Sequence, residues 1–287
     1  MTQSDLYCKN KVALSGSSFY YSFLFLPPEQ RTAITAIYAF CREVDDIVDD
    51  STNPDIARQQ LAWWHEEIQR VFDGNPQHPV GIALKSASHK FKLPKIWFDE
   101  ILQGMQMDLD FQGYQTFADV KVYCHCVAST VGMLAASVFG YTNPKTLDYA
   151  KNLGLAFQLI NIVRDIGEDA RRGRIYIAEE ELQNFGLQAD DLLQVSKHDV
   201  QKVRPILGKL AQLARNYYAM AIQDLPNEDR QTQRSGLIMA KIYLTILTEI
   251  EKSNFAVLHQ RISITPLRKL WIAWRTARTE KKLCQAL

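Results

Sequence analysis

The chain has 287 residues, 47% of them hydrophobic and 23% charged. No Pro-, Gly- or Ser-rich stretch divides it, so one domain over residues 1–287 with a substantial buried core is expected. Its 33 basic and 32 acidic side chains leave a formal charge of +1, which excludes bulk nucleic-acid binding and leaves electrostatic work to local clusters.

From the N-terminus, no basic-then-apolar signal design is present, and the first strong break is Pro27-Pro28. Beyond it, Ala33, Ile34, Ala36, Ile37, Phe40, Cys41 and Val44 recur at spacings of three and four, the period of an amphipathic helix. Further breaks fall at Asn53-Pro54, Asp73-Gly74-Asn75-Pro76, Leu93-Pro94, Thr142-Asn143-Pro144, Asn184-Phe185-Gly186, Asp224-Leu225-Pro226-Asn227 and Thr265-Pro266. They predict roughly eight to ten helices, with no strand-type alternation between hairpin turns. The segments around 127–140 and 153–163 are apolar on more than one face and belong in the centre of an all-α bundle. Ser129, Thr130, Gly132, Ser137 and Gly140 interrupt the most apolar stretch, Val127 to Tyr141, which is therefore not read as a membrane span. Five cysteines, odd in number and mostly in apolar surroundings, form no disulfide framework and suit a reducing cytoplasm. Cys124-His125-Cys126 is read as core packing, because residues two apart on a helix do not face each other.

Two acidic clusters share one design. Asp45 and Asp49 lie four apart on the first, and Asn161, Asp165 and Asp169 do so on the second. Positions four apart sit one helical turn apart on one face, with Cβ atoms about 6 Å from each other. Each cluster is thus a ladder of oxygen donors. Like charges so placed repel, and setting them beside apolar residues calls for a compensating cation. Hard Mg²⁺, which takes a few carboxylates together with substrate phosphates, meets that need.

Four runs in order carry a family resemblance: Ser15-Gly16-Ser17-Ser18-Phe19-Tyr20, Tyr38 to Asp49, Tyr123 to Gly132, and Gln158 to Asp169, followed by Arg174-Ile175-Tyr176-Ile177. They resemble the squalene/phytoene synthase family from about residue 10 to about residue 265. The opening run and the length are most similar to the bacterial presqualene diphosphate synthases of hopanoid pathways.

The resemblance implies an all-α, single-domain bundle of the isoprenoid synthase type with a central prenyl-binding cavity. It implies the head-to-head condensation of two farnesyl diphosphates to presqualene diphosphate, with Mg²⁺, or Mn²⁺ in its place, and without NADPH. Asp45, Asp49, Asn161, Asp165 and Asp169 become the metal shell, and Asp45, Asp49, Tyr123, Asp165 and Asp169 the catalytic set. Ser18, Arg42, Gln158, Asn161, Arg164, Arg174, Tyr243 and Arg261 become substrate-binding positions, with Arg171 and Arg172 adding charge beside the second motif. Phe19, Phe23, Tyr38 and Phe157 are candidates for the wall that shields a carbocation. Downstream squalene or hopanoid enzymes become expected partners.

Other readings stay open. Phytoene synthase and dehydrosqualene synthase share the chemistry and differ in chain length or in the fate of the cyclopropane. A non-catalytic lipid-binding or assembly subunit on the same fold is a different class; the four intact aspartates argue against it. The C-terminal run Leu267-Arg268-Lys269-Leu270-Trp271-Ile272-Ala273-Trp274-Arg275-Thr276-Ala277-Arg278 is a basic, tryptophan-rich helix suited to peripheral contact with an anionic membrane. The expected location is the cytoplasm, with that contact at the inner face of the membrane.

Overall fold

A computed structural model describes residues 2–14, 22–193 and 200–286. In chain order the helices are α1 (Gln3–Leu14), α2 (Pro28–Asp50), α3 (Pro54–Asp73), α4 (Pro79–Phe91), α5 (Lys95–Leu109), α6 (Phe117–Cys124), α7 (Thr130–Phe139), α8 (Lys145–Arg171), α9 (Glu179–Asn184), α10 (Ala189–Leu193), α11 (Val200–Asp224), α12 (Arg234–Lys252) and α13 (Pro266–Ala286). A π-helical turn, His125–Ser129, joins α6 to α7. No strand occurs among the described residues.

The eight predicted breaks all fall between helices. Proline stands in the first turn of α2, α3 and α4, where its missing N–H is no loss and its fixed φ favours the helix. Asn53 caps α3 by accepting the Asp55 N–H at 2.9 Å, and Gly74 ends it in the left-handed region. Among the described residues there are thirteen α-helices, more than the predicted eight to ten. Part of the excess comes from the short α9 and α10, and part from a break at 110–116. That break leads into a reciprocal Thr116–Asp119 capping box rather than into a proline.

The core has two main parts. One gathers α1 to α5 and α7 around Phe40, Ile68, Leu84, Phe98 and Leu134. The other surrounds α8 with residues such as Leu159, Val163, Leu207 and Ile242. Each fully buried aliphatic or aromatic side chain stabilises by about 1.5–3 kcal/mol relative to exposure, so the orientation of every core helix is strongly fixed. α8 buries side chains on several faces, from Tyr149 through Ala170, and is central as its composition predicts.

The continuous helical run Phe117–Phe139 contains an 18-residue window with a mean hydropathy of 1.6 and is long and apolar enough to cross a membrane. Reading residues 127–141 alone did not bring this out, because α6 and the π-turn add the missing length. In the bundle 56% of its apolar window is buried, and Cys124, Cys126 and Leu134 pack in the core. Those two cysteines, with Cys8 and Cys41, are free thiols. His125 faces Glu100, Nε2 to carboxylate 3.5 Å.

Candidate active site

The acidic face of α2 is set by its apolar face. Ala36, Phe40, Val44 and Val48 are buried at four-residue intervals, which turns Arg42, Asp45, Asp46 and Asp49 to the opposite side. On α8, Leu159, Ile160, Val163, Ile166 and Ala170 are buried in the same way, leaving Gln158, Asn161, Arg164, Asp165, Glu168 and Asp169 on the other face. The two faces line one cleft of about 800 Å³. Among the described residues, every catalytic, metal-binding and substrate-binding position expected from the sequence lines it: Arg42, Asp45, Asp49, Tyr123, Gln158, Asn161, Arg164, Asp165, Asp169, Arg174, Tyr243 and Arg261. Ser18 alone, with the wall candidate Phe19, lies outside the described residues.

Arginines cross-link the cleft. Arg42 donates to Asp45 at 2.6 Å and also to Asp46. Asp49 is clamped by Arg172 at 2.6 Å and Arg174 at 2.7 Å, and Arg174 also holds the Val48 carbonyl at 3.2 Å. The start of the segment after α8 is thereby tied to the end of α2. Asp165 accepts from Arg164 Nε at 2.8 Å and from an Arg261 terminal nitrogen at 3.4 Å, with Arg261 Nε 3.0 Å from its carboxylate. Arg171 is the exception, since it turns away to the Leu258 carbonyl at 3.4 Å.

Arg261 reaches the cleft because of Gly167. A Cβ at that position would lie 2.1 Å from the Leu258 carbonyl oxygen, so only glycine lets the loop between α12 and α13 rest on α8. The glycine between Asp165 and Asp169 thus positions a basic residue that lies 96 positions beyond Asp165.

Three cleft residues were missed by sequence reasoning. Asp108 on α5 is buried and accepts from Tyr123 at 2.9 Å and from Tyr176 at 2.7 Å. The two rings stack at 4.9 Å between centroids. The available signal was a carboxylate on an apolar stripe, in register with Ile101 and Met105. Tyr176 stood in a quoted motif without a role. Lys269 entered only as part of the C-terminal helix, and it lines the cleft.

Burial and like charge raise the carboxyls. Burial is the larger cause for Asp45, pushed up to about 6 with Asp49 adding to it, and for Asp169, pushed up to about 7 with Asp165 adding to it. Burial also raises Asp108 to about 6, against the pull of the Tyr176 hydroxyl and Arg174.

A divalent cation fits this donor set. It is all oxygen, it leaves raised carboxyls in each ladder, and the buried Asn161 Oδ1 has no hydrogen-bond partner. Asp45, Asp49, Asn161, Asp165 and Asp169 are the residues that would hold it. Among the described residues no three His, Cys, Asp or Glu side chains close a metal cage by themselves. Mg²⁺ does not need such a cage, because it commonly keeps waters and substrate phosphates in its shell.

The sign of the pH effect follows from linkage. Asp45, Asp108 and Asp169 have folded values above their ordinary 3.8. Their stabilising contribution is full below about pH 4 and is lost as pH rises through about 6 to 7. Thermal melts should therefore show a metal-free protein that weakens over that window. Mg²⁺ should raise the melting temperature far more at about pH 8 than at about pH 5. Equal shifts at both values would contradict the assignment of these carboxyls to the cation site.

Below the cleft lies an apolar pocket of about 180 Å³, whose walls include Phe23, Ile37, Val131, Leu153 and Phe157. Tyr38, Gln158, Asn161 and Tyr243 line both spaces. Tyr243 stacks on Phe157 at 4.2 Å between centroids. Three of the four wall candidates, Phe23, Tyr38 and Phe157, are therefore on the pocket wall.

Comparisons with known proteins bear on the family and the fold. A family model described as squalene/phytoene synthase matches residues 12–268. The chain belongs to the squalene/phytoene synthase family. Its enzymes are of the prenyltransferase type and use prenyl diphosphates, generally with divalent metals. Relatives in this family include phytoene synthase of Arthrospira platensis, 33% identical over 284 residues, covering 94% of this chain and 91% of that protein. Phytoene synthase of Mycobacterium tuberculosis is 33% identical over 258 residues, covering 89% and 84%. Among solved structures, a dehydrosqualene synthase in complex with ligand superposes with a TM-score of 0.84 at 28% identity, covering 98% of this chain and 97% of that one. Squalene synthase HpnC from Alicyclobacillus acidocaldarius, at 24% identity and a TM-score of 0.77 over 88% of this chain and 94% of that one, shares the fold. The isoprenoid synthase fold read from the sequence is the one observed.

Proposed function

We propose that this squalene/phytoene synthase family member joins two farnesyl diphosphates head to head into presqualene diphosphate, releasing one diphosphate. The observation that carries the reading is the junction of a cleft lined by both acidic motifs with an apolar pocket, through Tyr38, Gln158, Asn161 and Tyr243. A diphosphate head and a prenyl tail require those two environments side by side. Each buried methylene of the tail contributes about 0.8 kcal/mol.

In the reaction, the C1–O bond of one farnesyl diphosphate breaks and its electron pair leaves with the diphosphate. The 2,3-double bond of the second substrate attacks C1, one proton is lost, and a cyclopropane closes that keeps the second diphosphate. No net oxidation or reduction occurs, so NADPH is not consumed. Bound Mg²⁺ supplies positive charge to the departing diphosphate. Arg42, Arg164, Arg172, Arg174 and Arg261 are placed to take diphosphate oxygens, at which guanidinium donors act in pairs. Phe23, Tyr38 and Phe157 keep water from the cation and turn ring faces toward it, worth about 0.5–2 kcal/mol each. Tyr123 serves as base only by handing its own proton to Asp108, to which its hydroxyl already donates. The released diphosphate is the alternative base.

The names of the curated relatives favour a second reading, phytoene synthase acting on C20 substrates, and that of a structural relative favours dehydrosqualene synthase. Incubation with Mg²⁺ and farnesyl or geranylgeranyl diphosphate, with and without NADPH, separates these readings by mass spectrometry before and after phosphatase treatment. A C30 diphosphate formed without NADPH is expected. A C30 hydrocarbon made without NADPH would mean dehydrosqualene synthesis, and a C40 hydrocarbon phytoene synthesis. No diphosphate release from either substrate would sink the enzymatic reading in favour of a non-catalytic subunit.

A further inference from the structure

We infer that the outer face of α13 is a docking surface for an anionic lipid bilayer. The inner face of the helix is fixed to the bundle by buried Ile272, Ala273, Thr276 and Ala277. Arg230 also holds the buried Glu280 carboxylate with two contacts of 3.1 Å. What remains outside is an apolar stripe. Leu267 is 78% exposed, Leu270 42%, Trp271 53% and Trp274 54%. These four positions follow the i, i+3, i+4, i+7 spacing that aligns them on one side of a helix.

The charges on the helix complete the pattern. Between residues 266 and 281 there are five cations and a single acid, Glu280, which is turned inward; Arg268 is held by Glu249 at 2.9 Å and Lys269 lines the cleft, which leaves Arg275, Arg278 and Lys281 to the outer face. The Arg275 guanidinium lies 5.1 Å from the Trp271 ring centroid, and that of Arg278 lies 5.4 Å from Trp274. Each exposed indole therefore carries a cation beside it. Tryptophan favours the headgroup level, and arginine there meets lipid phosphate. Water on one side and only packed protein on the other leave the apolar stripe uncompensated; an anionic interface satisfies stripe and charge together. A second copy of the chain suits the face less well, since a twofold contact would set cations against cations.

The same helix borders the cleft on another side, where Lys269, with Arg261, Ile262 and Ser263 before it, lines the opening. The surface is the same whichever prenyl chain the cleft accepts.

Co-sedimentation of the full chain with phosphatidylcholine vesicles, and with vesicles that also contain phosphatidylglycerol, tests the inference. The parent, Trp271→Ala/Trp274→Ala and Arg275→Glu/Arg278→Glu are compared, with thermal melts for each and sedimentation velocity for self-association. The parent should partition onto the anionic vesicles at least about tenfold better than onto phosphatidylcholine, and less so in high salt. Each double variant should lose about tenfold or more of that partitioning with an unchanged melt. The charge-reversal pair keeps the test informative if the tryptophan pair folds poorly. Equal partitioning of parent and variants would overturn the inference, as would no preference for anionic lipid. A self-association of the parent that both variants abolish would assign the face to a second copy instead.

Discussion

Asp49→Asn is expected to lower kcat for diphosphate release by at least about 10²–10³-fold while leaving the fold intact. Asp49 is a pivot of the cleft. It belongs to the first acidic ladder, and it receives both Arg172 and Arg174 from the segment after α8. Asparagine keeps the shape and removes the charge. The loss should appear mainly in kcat, because neutralisation matters most as the C1–O bond breaks. Stability should change little, since the side chain sits at the rim of the cleft and partly solvated ion pairs contribute about 0–1 kcal/mol. Steady-state kinetics with farnesyl diphosphate, beside a thermal melt, makes the comparison. A kcat close to that of the parent would remove Asp49 from the ionisation machinery.

The second large effect is structural. Gly154→Ala should destabilise the protein by about 3 kcal/mol, a fall in Tm of about 5 °C for a chain of this size. An added Cβ would lie 2.5 Å from the Ala128 carbonyl oxygen and 2.6 Å from the Ser129 Cα. Both are backbone atoms, so no rotamer change relieves the clash. Gly132 makes the reciprocal approach, 2.6 Å from the Ala150 carbonyl oxygen, and the Ser129 hydroxyl donates to the Lys151 carbonyl at 2.8 Å. The π-turn and α7 therefore run backbone to backbone with α8. Forcing them apart moves the helix that carries Gln158, Asn161, Asp165 and Asp169, so activity should fall together with stability. Gly208→Ala is the matched control. Its Cβ meets nothing within 4 Å, and within α11 the exchange should be neutral or stabilise by up to about 1 kcal/mol. Calorimetry on the two variants tests the packing argument, and equal Tm values would contradict it.

Much of the active site could be read from the sequence because it is built on helices. A four-residue spacing is a statement about one face, so Asp45 with Asp49, and Asn161 with Asp165 and Asp169, were legible as ladders. That the ladders share one cleft followed from the family resemblance. Periodicity alone does not say which helices face each other. The helix starts at Pro28, Pro54 and Pro266 were legible because proline acts locally. The break at 110–116 was not, since its Gly113, in the left-handed region, stands without a proline or a cluster of turn residues, and its other marker is a capping box.

The Asp108–Tyr123–Tyr176 cluster was also hidden. It joins α5, α6 and the segment after α8, and no local spacing links them. The role of Gly167 was invisible for the same reason, because its meaning lies in the Leu258 carbonyl that rests on it. The full length of the apolar helix 117–139 has no local marker either, because α6, the π-turn and α7 run on as one continuous helix.

The most direct measurement is anomalous diffraction from crystals grown with Mn²⁺ and a non-ionising thiodiphosphate analogue of farnesyl diphosphate. Metal peaks bound to Asp45 or Asp49 on one side and to Asn161, Asp165 or Asp169 on the other, with the diphosphate between them and the tail in the pocket of Phe23 and Phe157, are predicted. Metal bound elsewhere, or a diphosphate held by arginines alone with no metal on either ladder, would contradict the account.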